Sequence, residues 1–597
     1  MKLDIGGNRK NPIYYLARSQ RIDGKVRTIR IKTIGKHNEL LAQGHGDPLA
    51  HAKEAVRREN ERLKADNVLS FGKTVDFSEE LEKTGSVDSK STAKNVGYSY
   101  LNEVFNRLGI GEFLKAEASK LRIRYDLADV LRLLAFSRIL SPKSKLSTFD
   151  DIGSYLADFD LGLDDVYRGM DVLHALSDPL QAHLYKASEK IQHRKKSVLY
   201  YDCTNYFFEI EEEDGDAADG SPAGGGLRKY GASKEHRPNP IVQMGLFIDE
   251  DGLPLAMSVN PGNTNEQKTA TPLEKRIMRD YRLSRFVYCA DAGLGSSSIR
   301  RFNSLGDRAY IVTQSLKKLS GKDSELVFRN LNWKYLSDGS DADFSRYKSV
   351  CEKAASGAGL TDGEKAVVEK GDVYKDYVSE KGERIIVTFS PKAFAYQRGI
   401  FLKQLARAKK MAAGGRMAFG PNDVRRFVFS YAIDGDGEML ENEGLGLDGP
   451  KADAEREYHG FYAVATNLED DVREILRING FRWKIEDSFR VMKTNFKARP
   501  VYHQKSERIQ AHFLVCFVSL LIFGLLKLKL GSKEITDGAL IGTLRNMSVK
   551  IDDKIGYGEA LYTHSKTLEE LEKAYPLGLN RKYYSSAQLR KISKMKS

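Results

Sequence analysis

Between Phe513 and Leu526 the chain runs for fourteen positions, FLVCFVSLLIFGLL, with hardly a polar residue. Such a run is short for a membrane span of about 20 residues, and it suits a helix buried in a large core. The fold must therefore wrap other elements around it. The stretch leading in from Arg482 has a helical period of its own. Ile485, Phe489, Met492 and Phe496 recur at four, three and four, forming one apolar stripe. Trp483, Glu486, Arg490, Lys493 and Lys497 take the neighbouring stripe, so one carboxylate stands among cations on a helix anchored against a deep core. The pattern fits a surface ion-pair ladder, which stabilises a helix only slightly, and it fits a carboxylate placed for chemistry.

Two other acids stand where strands are expected. SVLYYDCTNYFFEI, residues 197 to 210, is aromatic and β-branched and reads as a buried strand with Asp202 near its middle. Asp is depleted in strands and costly to bury unpaired, which fits a catalytic acid or an edge strand equally. RFVYCA, residues 285 to 290, is a short apolar run ending at Asp291 before AGLGSSSIRRF. An acid at the C-terminal tip of a buried strand is a common active-site position in α/β folds, and it is also a helix cap. Asp202, Asp291 and Glu486, without a cysteine or histidine cluster, would make an oxygen-only site. Hard oxygen ligands select Mg²⁺ or Mn²⁺. Two such ions about 3.5–4 Å apart can activate a water or 3′-hydroxyl and stabilise the leaving oxygen of a phosphodiester. Arg482, Arg490, Lys493 and Lys497 would then neutralise phosphoryl charge and grip a nucleic-acid backbone.

The charge balance agrees. With 95 Lys and Arg against 82 Asp and Glu, the chain carries a formal charge of +13, which points to a polyanionic partner. Cys203, Cys289, Cys351 and Cys516 are scattered, so neither a disulfide framework nor a zinc site is expected. His45 and His51 lack cysteine partners at finger spacing. The polar N-terminus does not read as a signal peptide, and the expected setting is a reduced cytoplasm with no membrane.

In chain order, 1–81 is expected to hold a basic hairpin and a helix. IYYLARSQRIDGKVRTIRIKTI, residues 13 to 34, would turn at Asp23-Gly24 and carry Arg18, Arg21, Lys25, Arg27, Arg30 and Lys32. Such a ribbon fits a DNA groove, or simply has one solvated face. Residues 48 to 66 read as a charged helix, and the polar stretch from Glu82 to Gly97 reads as a linker. Residues 98–193 read as helical, with candidates Tyr98–Leu108, Asp126–Leu140 and Asp164–Ile191 around the Pro-containing turn LSPKSKLSTFDD. A core would follow at 194–314, interrupted by the acidic, Gly-rich loop from Glu211 to Gly226. The 195 residues from Asp291 to Glu486 demand an inserted unit, placed at 315–458 and expected to leave the sheet and return. The core would resume at 459–530. The tail, 531–597, turns basic from Arg581, as a phosphate-binding arm or a solubilising extension.

RWKIEDSFRVMK resembles the C-terminal signature of insertion-sequence DDE transposases of the IS-four superfamily: Tyr, two residues, Arg, three, Glu, six, Lys. Arg482, Glu486 and Lys493 match it, and Asn479 stands where Tyr is expected. The continuation KARPVYHQKSERIQAHFLVCFVSLLI is similar to the IS-sixteen-thirty-four branch, as are RILSPKSKL at Arg138 to Leu146 and the PGNT-x-E pattern ending at Glu266. The family has Asp-Arg-Gly at the second acid, where this chain has Asp291, Ala292 and Gly293. The resemblance implies an α/β fold: an RNase H-like core, a mixed sheet flanked by helices, with a β-rich insertion, a helical DNA-binding region and an N-terminal hairpin. It further implies cut-and-paste transposition, with nicking at the terminal inverted repeats, 3′-hydroxyl transfer to target DNA, and a homodimer pairing two ends. A metal-dependent nuclease without strand transfer, and a DNA-binding protein that has lost catalysis, are the alternatives.

Overall fold

The computed structural model describes residues 1–22, 25–65, 93–215, 226–413, 427–433, 439–532, 534–552 and 557–594. The Asp23-Gly24 turn, most of the 82–97 linker and most of the 211–226 loop lie outside these. The chain divides into two compact units, Met1–Lys90 with Asp552–Gly556, and Ser91–Ile551 with Tyr557–Ser597.

The smaller unit is a three-stranded antiparallel sheet, Lys2–Asn8, Asn11–Ile22 and Lys25–Lys36, with helices His37–Ala42 and Pro48–Ala65. The expected ribbon thus gains a third strand, whose Gly6-Gly7 pair conceals it in the sequence. Its core is small, Tyr14, Leu40 and Ala52. Arg30 is tied to Asp4 at 2.6 Å and stacks over Tyr15, so the ribbon's cations are not all free for a ligand.

In the larger unit one nine-stranded sheet organises everything. Its strands are numbered here in chain order: β1 (Val198–Phe207), β2 (Ile241–Ile248), β3 (Pro254–Pro261), β4 (Val287–Ala290), β5 (Ala309–Thr313), β6 (Lys334–Tyr335), β7 (Val373–Val378), β8 (Arg384–Phe389) and β9 (Phe461–Thr466). The spatial order is β6-β7-β8-β9-β5-β4-β1-β2-β3. β1, β2 and β3 form an antiparallel meander, β4 and β5 run parallel to β1, and all other pairings are antiparallel.

Both faces are covered, which is why β1 reads as an almost continuous apolar run. Alternate residues serve different cores. Val198, Tyr200 and Tyr206 join the core that contains the apolar helix, while Leu199, Tyr201 and Cys203 join the opposite one. Three helices matter on the first face: α1 (Leu127–Leu140), α3 (Trp483–Arg490) and α4 (Ser506–Leu530); α2 (Ala270–Asp280) lies on the other. The apolar run sits inside α4, which ends at Gly531 in the left-handed conformation, φ +66°, that glycine adopts without strain. By length and composition α4 could cross a membrane, but 72% of its most apolar window is buried inside this fold. Its Ser519 hydroxyl donates to the Ala135 carbonyl of α1 at 3.2 Å, locking the two helices together.

Two expectations change. The span Asp164–Ile191 is two helices, Leu163–Ala175 and Ser177–Ile191, because Pro179 fits the first turn of a new helix but not the interior of a long one. The interval 315–458 leaves the sheet only in part: β6, β7 and β8 extend it, with β8 paired along all of β9, whereas the stretch after β8 departs as a helix, Pro391–Ala413, and a separate two-stranded sheet, Val428–Ile433 with Met439–Leu447, before returning at β9. The basic tail adds a strand, Tyr583–Ser585, and a helix, Ser586–Ser593, whose Ile592 carbonyl accepts from Tyr98 Oη at 3.0 Å.

Candidate active site

Asp202 lies in the middle of β1, opposite Leu246 of β2, and is the only residue of that strand not fully buried. It shares the parity of Tyr200 and Tyr206, which places it on the α3 face. Its Oδ1 accepts from the Cys203 N–H at 2.7 Å. Burial pushes its pKa up to about 6, opposed by the charge of Lys234, with repulsion from Glu266 and Asp291 adding to the rise. Asp202 is therefore a desolvated carboxylate in a field of other carboxylates.

Asp291 follows β4, the strand parallel to β1 and beside it. It caps the 3₁₀ turn Ala292–Leu294, accepting from Ala292 N–H at 2.7 Å, and its side chain stays 58% exposed at the strand's C-terminal tip. Glu486 stands in the first turn of α3, also exposed. Arg482 joins them. Its Nη1 lies 3.5 Å from Asp291 and its Nη2 lies 3.9 Å from Glu486, while Nη1 donates to the Thr313 hydroxyl at the end of β5. One guanidinium thus spans the ends of two strands and the helix.

The apolar stripe performs as its spacing predicts, since Ile485, Phe489, Met492 and Phe496 are all buried in the core shared with β1 and β2. The cationic stripe does not stay together. α3 ends at Arg490, and Val491–Asn495 is a π turn that inserts an extra residue into the helical period. Arg490 points to Asp487 at 2.7 Å and Asp537 at 2.9 Å. Lys493 instead turns into the site, only 15% exposed, 3.7 Å from Glu235 and over the Tyr206 ring at 5.4 Å. Burial, then repulsion from Lys234, lowers its pKa to about 8, and the charge of Asp202 opposes this. Lys497 is exposed at φ +46° beyond the π turn.

Three charged neighbours of the site carry no assignment from the sequence: Lys234, Glu235 and Glu266. Lys234 donates to the Cys203 carbonyl beside Asp202 and lies 3.5 Å from Glu266. The signal was there in LRKYGASK and PGNT-x-E, but neither stretch says that β2 and β3 fold back to bring it beside β1.

Among the described residues no three His, Cys, Asp or Glu side chains form a ready metal-holding set. The donors nevertheless fit a hard divalent cation in kind: they are all carboxylates, and the buried one is pushed up by its own desolvation and by like charges, a penalty that a cation would relieve. All four cysteines are free and buried.

A mixed sheet with acids on an interior strand and at the tip of the parallel neighbour, beside a helix flanked by Arg482 and Lys493, is an arrangement suited to phosphoryl chemistry. Residues 214–522, just over half of the chain, match the family described as transposase DDE domain, and the chain belongs to that family. Asp291 and Glu486 fall inside the matched span, and Asp202 lies just upstream of it. No curated protein matches the chain. Among solved structures, a cryo-EM structure of a piggyBac transposase synaptic complex with hairpin DNA is similar over 84% of this chain and 85% of that one, at 9% identity and a TM-score of 0.34.

Proposed function

We propose that this protein is an insertion-sequence transposase of the IS-four superfamily, in its IS-sixteen-thirty-four branch, which nicks DNA at element ends and joins the freed 3′-hydroxyl to target DNA. The core is RNase H-like on this reading, supported by the β3-β2-β1-β4-β5 order with an antiparallel meander followed by two parallel strands. The observation that carries the proposal is that Arg482 lies between Asp291 at the tip of β4 and Glu486 on α3, while Asp202 on neighbouring β1 feels the charge of Asp291. Asp202, Asp291 and Glu486 would hold two Mg²⁺ ions, with Mn²⁺ able to substitute, and these would supply nucleophile activation and charge stabilisation at the phosphodiester. Arg482 holds Asp291 and Glu486 in a common orientation and offers the same guanidinium to a phosphate oxygen. Lys493, held desolvated beside Asp202, is a strong donor to an anionic oxygen there. DNA is the partner, bound as two ends by a homodimer.

The test is incubation of the protein with its own element ends, Mg²⁺ and a target plasmid. Asp202→Ala, Asp291→Ala and Glu486→Ala should each abolish cleavage, a loss of at least about 10³-fold, with DNA binding kept, because each removes a carboxylate but no cation. Robust Mg²⁺-dependent cleavage by any one of these variants would remove that residue from the site. Joined products from a pre-nicked end separate transposition from plain nuclease action. The reading of lost catalysis has one structural point in its favour: the amide oxygen of Asn479, where the signature has Tyr, is buried without a hydrogen-bond partner.

A further inference from the structure

A cavity of about 720 Å³ lies between the RILSPKSKL turn and the segment Lys497–Arg508 that follows the π turn. Seven Lys and Arg side chains line it, and no Asp or Glu does. Three of the seven are neutralised from outside: Lys143 by Asp151, Arg499 by Glu235, and Arg508 by Asp171 at 2.8 Å. Arg138, Lys145 and Lys497 have no ion pair among the described residues, and Lys505 adds only a longer-range attraction to the Asp171 that Arg508 already holds.

The floor is the telling part. Arg138 and Lys145 are each only 5% exposed. Arg138 spends Nη1 on the Phe496 and Lys497 carbonyls, at 3.1 and 3.3 Å, and its Nε is buried with no partner. Lys145 has no hydrogen bond or ion pair among the described residues. Burial pulls both below their ordinary pKa ranges, and repulsion from Arg138 adds to the drop at Lys145. His503 beside them is pushed down to about 3 by burial and then by these two cations, so it stands neutral, with a ring nitrogen free to donate. Two buried cations side by side without an anion are costly, and a bound oxyanion repays that cost. Tyr167, Ser144 and Ser147 add hydroxyls around the same space.

We infer that this cavity is a phosphate-binding site that seats one phosphate group of a DNA strand passing the active site. The anion chemistry follows from the lining alone; the DNA source rests on the transposase reading. Continuity supports it. Lys493, beside Asp202, and Arg499, in the cavity wall, share the carboxylate of Glu235, so the cavity begins one ion pair away from the candidate active site. The contacts are to phosphate rather than to base edges, and the site is therefore indifferent to sequence.

Thermal unfolding of the full chain in sodium phosphate against sodium chloride at matched ionic strength tests the anion site. The wild type should gain Tm in phosphate beyond the chloride control. Lys145→Met should raise Tm in chloride, by removing a buried uncompensated charge, and weaken apparent phosphate affinity about tenfold or more. Should that variant not fold, Lys497→Ala on the exposed rim should reduce the phosphate increment and lower the salt slope of DNA binding by about one. No phosphate-specific gain in the wild type, or a gain unchanged in the variants, overturns the site. Duplexes with and without a 5′-phosphate identify the source. Preference for the phosphorylated end, lost with Lys145, indicates a terminal phosphate, and equal binding that still falls in the variants indicates a backbone diester. Binding of free phosphate with no effect of either variant on DNA overturns the assignment to a strand. Failed transposition with these effects intact would count against the proposed function and not against this site.

Discussion

Arg482 and Arg490 bracket the same short helix, yet their surroundings give them different work. Arg482 touches Asp291, Glu486 and Thr313, whereas Arg490 is spent on Asp487 and on Asp537, which is itself nearly buried and also paired with Lys527. Three alanine variants read in one salt titration of DNA binding should therefore split. Arg482→Ala and Lys493→Ala should each reduce the slope by about one and slow cleavage without abolishing it. Arg490→Ala should leave the slope unchanged and cost about 1 kcal/mol of stability or less, since its side chain is half exposed and Asp537 keeps Lys527. A slope that falls only in Arg490→Ala would reverse this assignment. The residue types were legible in the sequence. Their partners were not, because a helical wheel drawn through Glu486 and Lys497 assumes an unbroken period, and the π turn at Val491–Asn495 breaks it.

Elements carry the same lesson about what a linear pattern encodes. The stripe Ile485, Phe489, Met492 and Phe496 and the run within α4 were readable because burial demands apolar residues at fixed intervals. The β1 strand was readable for its β-branched and aromatic content, as was Asp291 at a strand tip. Polar burial leaves no comparable trace, and the docking of α2 illustrates it. Glu274 on α2 is fully buried, its Oε1 accepting from Asn303 Nδ2 at 3.0 Å while its Oε2 has no partner. Burial raises its pKa to about 7. A carboxyl raised in the folded state contributes stability that is fully present below its unfolded value near 4.5 and is lost as pH rises through about 7. Glu274→Gln removes that dependence. Its Tm should match the wild type near pH 4.5 and exceed it at pH 8, by an amount equivalent to about 3 kcal/mol at most. Equal Tm values at pH 8 would mean that the carboxylate finds water or a cation when ionised.

For the molecule as a whole, the decisive feature is that the first part of the long interval between Asp291 and Glu486, through β8, is built into the sheet. A gap of that size reads from sequence as a removable insertion, since nothing in a linear pattern says which edge a distant strand will join. In the fold, β8 covers β9, which in turn pairs with β5 beside the strand that carries Asp291. An aromatic cluster ties the interval to β9: Phe389 and Phe461 lie 5.0 Å apart between ring centres, Phe344 and Phe461 5.7 Å, and Trp333 stacks on Phe344 at 4.2 Å. Losing a buried Phe or Trp costs about 3–5 kcal/mol, so losing several at once matches the entire stability of about 5–15 kcal/mol expected for a folded domain. A chain in which a short Gly/Ser linker replaces 315–458 should therefore leave β9 as an open apolar edge, and it should aggregate or lose its cooperative transition. Size-exclusion chromatography and calorimetry on the shortened chain decide the matter. A monodisperse product unfolding in one transition near the full-length Tm would show that β1–β5 with β9, α3 and α4 stand alone, and that the outer strands serve only to flank the site.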